Sequence, residues 1–147
     1  MMRVKDCMGT RDVVQATPDT NLQQIAQLMN QNHVGCIPVC QEQQIVGFVT
    51  DRDIVTRAIA SSLDCNNTKV SDIMNTKIIK TTPDTHISDA LDVMEKNQIR
   101  RLPVIEDNKI VGILSMGDIA VSLDEEDVGH TLGCICDDDE DNEKHWY

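Results

Sequence analysis

The sequence predicts an α+β fold built from two tandem copies of one unit. The stretch Gly47-Phe48-Val49-Thr50-Asp51-Arg52-Asp53 returns as Gly112-Ile113-Leu114-Ser115-Met116-Gly117-Asp118, 65 residues later. Residues 16–55 align with 81–120 without a gap, with identities that include Thr17/Thr82, Pro18/Pro83, Met29/Met94 and Pro38/Pro103. Each copy alternates short apolar runs with a segment of helical period. The repeat is longer than the usual solenoid units, so two copies suggest a pseudo-symmetric pair and not an extended array.

The elements follow in order. Val4 to Met8 matches Val70 to Met74, and both read as a short helical turn. Val13-Val14 and Ile78-Ile79 are brief strand-like runs. Thr17-Pro18-Asp19-Thr20 and Thr82-Pro83-Asp84-Thr85 are the same tetrapeptide. Proline ends the strand there, and Asp or Thr is expected to cap the next helix. Leu22, Ile25, Ala26 and Met29 form an i, i+3, i+4, i+7 stripe, as do Ile87, Ala90, Leu91 and Met94, so each helix buries one face. Asn32 and Asn97 fall at the expected helix ends. The strands at Pro38 and Pro103 then pair with those at Gly47 and Gly112 through polar turns, 41–44 and 106–109, as hairpins. A last helix carries Ile54, Val55, Ala58 and Ile59 in one copy and Ile119, Ala120 and Leu123 in the other.

Composition narrows the function classes. Aromatics make up 2% of the chain, so a core must be assembled from Ile, Val, Leu, Met and Ala. No apolar run reaches the roughly 18 to 20 residues of a membrane span, and Met1 to Asp6 lacks the apolar segment of an export signal. The cytoplasm is the expected compartment, and the six cysteines are expected as free thiols. Residues 124–147 hold ten acids against one lysine, net −9, which leaves 15 acids against 12 bases, net −3, before them. A nearly balanced body with an acidic tail argues against nucleic acid, which calls for a basic face.

Thr50-x-x-Asp53 and Ser115-x-x-Asp118 have the form of a capping box, which alone would account for them. Their setting adds a second reading. Each follows a Gly-bearing strand, and the helix start offers free N–H groups to phosphate. The aspartate can accept two ribose hydroxyls, so a nucleotide stretched between the two groups satisfies both.

The doubled pattern resembles a pair of cystathionine-β-synthase (CBS) domains, a Bateman module. The resemblance rests on V-x-D-x-M, T-P-D-T, the Pro38 and Pro103 strands and G-h-h-[TS]-x-x-D in both copies, where h is apolar, and covers about residues 3–123. It implies two β-α-β-β-α units packed sheet to sheet with pseudo-twofold symmetry and adenosine nucleotides bound between them. The expected division is 3–60, a linker over 61–69, 70–123 and a flexible acidic tail over 124–147. By this resemblance Asp53 and Asp118 hold ribose, and Thr50 and Ser115 approach phosphate. Val14, Ile37 and Pro38 frame adenine in one site, with Ile79, Leu102 and Pro103 in the other. The ligand is expected to be AMP, ADP or ATP, with S-adenosylmethionine, NAD(H) or an adenine dinucleotide as alternatives, and no cofactor is required. Gln15 and Lys80 depart from the small hydroxyl residue that many members carry.

The copies differ in their cations. Arg52 aligns with Gly117, and Cys36 with Arg101, so each site has its own set for phosphate. No nucleophile–base arrangement, phosphate loop or metal set stands out, and a non-enzymatic regulatory sensor acting on a separate effector protein is expected. A homodimer is expected from the family and from apolar surface at Ile54, Ala58, Ile119 and Leu123. The competing reading is a thiol or metal protein using His130, Cys134, Cys136 and His145. Their spacing matches no zinc pattern, and Asp137 to Asp141 lacks the glycine of an EF-hand loop.

Overall fold

The computed structural model describes residues 2–9, 13–122 and 125–136, the last as a helix in which only some side chains are described. Leu123, residues 137–147 (with His145) and the side chain of Cys136 lie outside the described residues. By contacts the chain forms two units, one of Val14–Ile78 and one of the described residues before and after it.

In the first unit, helix α2 (Leu22–Asn32) leads to strands β1 (Cys36–Gln41) and β2 (Gln44–Thr50), then a short helix α3 (Asp51–Asp53). In the second, α4 (Ile87–Asn97) leads to β3 (Arg101–Glu106), β4 (Lys109–Ser115) and α5 (Met116–Ala120). The expected α+β class and duplication are present. Each strand pair is an antiparallel hairpin with a bulge at the same place, Val39/Cys40 and Val104/Ile105. Glu42, Gln43, Asp107 and Asn108 all have positive φ, 50° to 67°. Two such central residues define the turn whose twist matches that of the strands it joins.

The expected first strand of each unit shrinks to a single parallel bridge, Ala16 to Val39 and Thr81 to Val104. Ala16 N–H donates to the Pro38 carbonyl at 3.0 Å, and Thr81 N–H to that of Pro103 at 3.0 Å. Thr17-Pro18 and Thr82-Pro83 then turn the chain, since proline has no N–H to extend a ladder. Thr20 and Thr85 close these turns and cap no helix. Asn21 caps α2 instead, accepting from Gln24 N–H at 2.8 Å, while His86 at the matching position of α4 makes no side-chain cap bond.

Asn32 and Asn97 do end their helices, followed by left-handed His33 and Gln98, φ 54° and 53°. Leu22, Ile25 and Met29 bury the inner face of α2, while Ala26 is exposed. All four stripe residues of α4 are buried.

The V-x-D-x-M segments dock crosswise in sequence. Helix α1 (Val4–Cys7) joins the second unit: Val4 N–H donates to the Thr85 carbonyl and Lys5 N–H to that of Pro83, both at 2.9 Å. The turn at Val70–Asp72 joins the first unit, with Val70 N–H donating to the Thr20 carbonyl at 2.8 Å. Each segment thus lies on the T-P-D-T turn of the copy that it does not directly precede. Gly47 allows the approach: a Cβ there would stand 2.7 Å from Met74 Sδ and 2.8 Å from the Asn75 carbonyl oxygen.

The chain from Ile54 to Ile59 is a π-helical stretch, with Ala60 N–H reaching back to the Val55 carbonyl at 3.0 Å. Ile54 and Ala58 face the core there, at 8% and 0% exposure, and Ile119 is fully buried. These three were expected to leave apolar surface for a dimer; instead they are buried in the chain itself. Among the described large apolar residues Val55, Ile59 and Val121 are the most exposed, at 56%, 61% and 87%, followed by Leu63, Val111 and Leu132.

The segment expected as a flexible tail carries a helix, α6 (Glu125–Cys136), that packs on α4 and α5. Ile135 is buried, and Gln98 Nε2 donates to the Cys134 carbonyl at 3.4 Å. Gly129 and Gly133 have open space around them, so packing does not demand them. Each costs a helix interior about 1 kcal/mol relative to alanine. A helix of 12 residues is marginal alone, so α6 depends on its contacts. Among the described residues no helix is long and apolar enough to cross a membrane.

Candidate functional site

Both [TS]-x-x-D motifs fold as capping boxes. Asp53 N–H donates to Thr50 Oγ1 at 3.1 Å, and Thr50 N–H to Asp53 Oδ2 at 2.9 Å. Ser115 and Asp118 reproduce the pair at 3.1 and 3.0 Å. One carboxylate oxygen in each motif is therefore used locally, and what meets the rest of the carboxylate distinguishes the copies.

In the first unit Asp53 is tied twice more. Asn75 Nδ2 donates to Oδ2 at 2.7 Å, and Arg57 Nε stands 3.6 Å from Oδ1. Arg57 is held in turn, its Nη1 donating to the Ile73 carbonyl at 3.1 Å. In the second unit Gly9 occupies the place of Asn75 and Ser122 that of Arg57. Asp118 is half-buried, and its Oδ1 makes no hydrogen bond among the described residues. The sequence offered a sign of Arg57, which lies four residues after Asp53 on the following helical stretch. It offered none of Asn75, which is brought in by the crosswise segment.

The other expected site residues divide by depth. Val14 and Ile79 are half-buried, just ahead of the parallel bridges. Ile37 and Leu102 have 0% exposure and serve as core beneath the site. Pro38 is buried and Pro103 half-buried, each giving its carbonyl to a bridge. Thr50 is 3% exposed and Ser115 half-buried. Arg52 is exposed on α3. Arg101 is exposed at the start of β3, where it pairs in register with Ser115. Cys36 holds that position opposite Thr50 in the first unit. The second unit therefore brings a half-buried carboxylate, a hydroxyl and an exposed guanidinium to one end of one hairpin.

The thiols point elsewhere. Cys7, Cys40, Cys65 and Cys134 are free, and burial pushes the Cys40 thiol up from its ordinary value, against ready ionisation.

Comparison with known proteins places this geometry. The family model described as CBS domain matches residues 4–59 and again 70–125. The chain belongs to the CBS-domain family. The CBS domain-containing protein YhcV of Bacillus subtilis strain 168 is 40% identical over 133 residues, 90% of this chain and 94% of that protein. The crystal structure of Hypoxic Response Protein I, with two coordinated zinc ions, superposes with a TM-score of 0.75 at 33% identity, covering 84% of this chain and 100% of that one. The CBS domain pair of protein MJ0100, solved with 5'-methylthioadenosine and S-adenosyl-L-methionine, gives a TM-score of 0.71 at 24% identity, covering 82% and 94%. At that identity the likeness shows the fold alone. CBS-domain pairs are in general regulatory, non-catalytic modules.

Proposed function

We propose that this CBS pair is a regulatory sensor of adenosine-containing ligands whose principal site lies in the second repeat. The observation that carries the reading is the half-buried Asp118, whose Oδ1 makes no hydrogen bond among the described residues and whose capping partner Ser115 lies in register with Arg101, set against an Asp53 held by Asn75 and Arg57. A carboxylate with an open oxygen can accept from ribose hydroxyls, and charge-assisted bonds of this kind are the strong ones. In this reading Arg101, for which no side-chain hydrogen bond or ion pair is found among the described residues, meets phosphate. The adenosine ligands bound to the MJ0100 pair support the choice of ligand class. Among such ligands the guanidinium favours AMP, ADP and ATP over S-adenosylmethionine, whose sulfonium it would repel.

The output passes to a separate effector protein, because the proposed chemistry ends at binding. Ligand shifts the chain between arrangements only as far as it binds one of them better. The exposed apolar residues after β2 and β4 dock a second copy, making a homodimer. Isothermal calorimetry with AMP, ADP, ATP, S-adenosylmethionine and NAD(H) tests the reading. At least one phosphate-bearing adenosine ligand is expected to bind with heat that disappears in Asp118→Ala. Absence of binding by every ligand at millimolar concentration overturns it.

A further inference from the structure

We propose that Glu95, His130 and Cys134 form a divalent metal site, of the zinc class, that fastens α6 to α4. The three lie far from the capping boxes in sequence and take no part in the nucleotide reading. His130 and Cys134 are four residues apart on α6, so their side chains share one face. Cys134 Sγ and His130 Nε2 stand 3.9 Å apart, and Glu95 in the last turn of α4 meets them there. One ligand atom from each of the three residues lies within 4.8 Å of the others. Around a tetrahedral zinc, with bonds of about 2.0–2.3 Å, ligand atoms lie roughly 3.3–3.8 Å apart. Small side-chain rotations would therefore close the set on an ion.

The donor types select the ion. A thiolate, an imidazole and a carboxylate suit zinc and related borderline metals, whereas calcium and magnesium take oxygen ligands. Three protein ligands leave the fourth position to water.

Two features of the helices fit the same role. A carboxylate in the last turn of α4 opposes the helix dipole, so Glu95 gains nothing from the helix that carries it. Helix α6 is short and contains two glycines that its packing does not need. A metal joining Glu95 to His130 and Cys134 would fix such a helix in place.

The test uses the full chain, reduced and stripped with a chelator, then titrated with zinc by calorimetry and with cobalt(II) by absorption. One ion per chain is expected, with a thiolate-to-cobalt charge-transfer band. Cys134→Ser, His130→Ala and Glu95→Gln should each weaken zinc at least tenfold, while Cys65→Ser in the other unit leaves it unchanged. Zinc should also slow amide exchange over 125–136 in the wild type but not in Glu95→Gln. Circular dichroism of the metal-free variants checks that each is folded. Three outcomes overturn the proposal: no stoichiometric zinc in the wild type, zinc retained by Cys134→Ser and His130→Ala, or loss in those two with Glu95→Gln unaffected. The first two remove the site, and the third places an ion on α6 without the link to α4.

Discussion

At the scale of single residues, the two aspartates share a sequence motif and differ in what surrounds them. Asp118→Ala is expected to lower adenosine-ligand affinity about tenfold or more, since a hydrogen bond to a charged group contributes about 1.5–3 kcal/mol. Asp118→Asn keeps an acceptor and loses less. Asp53→Ala is expected to act mainly on stability, because it strips a cap and leaves Asn75 without its 2.7 Å partner. Arg57 is half-exposed, so its ion pair adds little. Calorimetry and urea unfolding of both alanine variants separate the effects, and equal affinity losses would contradict the assignment. Arg101 supports a second expectation. Arg101→Ala should weaken ATP more than AMP, and the difference should shrink as salt rises, because exposed charges are screened over about 8 Å at physiological ionic strength. An equal factor for AMP, ADP and ATP would show that Arg101 does not read phosphate number.

At the scale of elements, the close approach of chain segments to the β hairpins makes a graded prediction. Gly47→Ala puts a methyl 2.8 Å from the Asn75 carbonyl oxygen, which bonds Phe48 N–H at 3.0 Å and cannot withdraw freely. Overpacking of this kind costs about 1–3 kcal/mol. At Gly112 the nearest atom is the flexible Met8 sulfur at 3.2 Å, so Gly112→Ala should cost less. Urea unfolding of the two variants reads the order directly, and a larger loss at Gly112 would refute it. The same contrast shows what could be read in advance. The hairpins, the amphipathic stripes and the capping boxes depend on residues within a few positions of one another, so pattern reveals them. The crosswise docking of Val4 to Cys7 and of Val70 to Asp72 depends on pairing across the chain. It brought Asn75 to Asp53, and no local signal announces it. The strands expected at Val13-Val14 and Ile78-Ile79 failed for the opposite reason. Their β propensity is real, but Thr17-Pro18 and Thr82-Pro83 stop the ladder after one bridge.

At the scale of the whole molecule, the question is what covers the apolar residues that the fold leaves outside. A dimer was expected from Ile54, Ala58, Ile119 and Leu123. Three of these are buried, Ile54 and Ala58 in the core cluster of the first unit, and Leu123 is outside the described residues. The expectation therefore moves to Val55, Ile59 and Val121, which the π-helical stretch and the end of α5 turn outward. Scattered apolar residues on a surface need no partner, but Val55 and Ile59 are four apart on one helical face and more than half exposed. Burying each of them against a second copy would contribute about 1.5–3 kcal/mol before the cost of association. Light scattering of the wild type at tens of micromolar is expected to give twice the 16.4 kDa chain mass. Val55→Glu combined with Ile59→Glu should return the monomer. Neither side chain holds the core, so the circular dichroism of that variant should match the wild type. A wild type that is monomeric with and without nucleotide would refute the dimer, and a dimer that survives the double substitution would move its interface elsewhere.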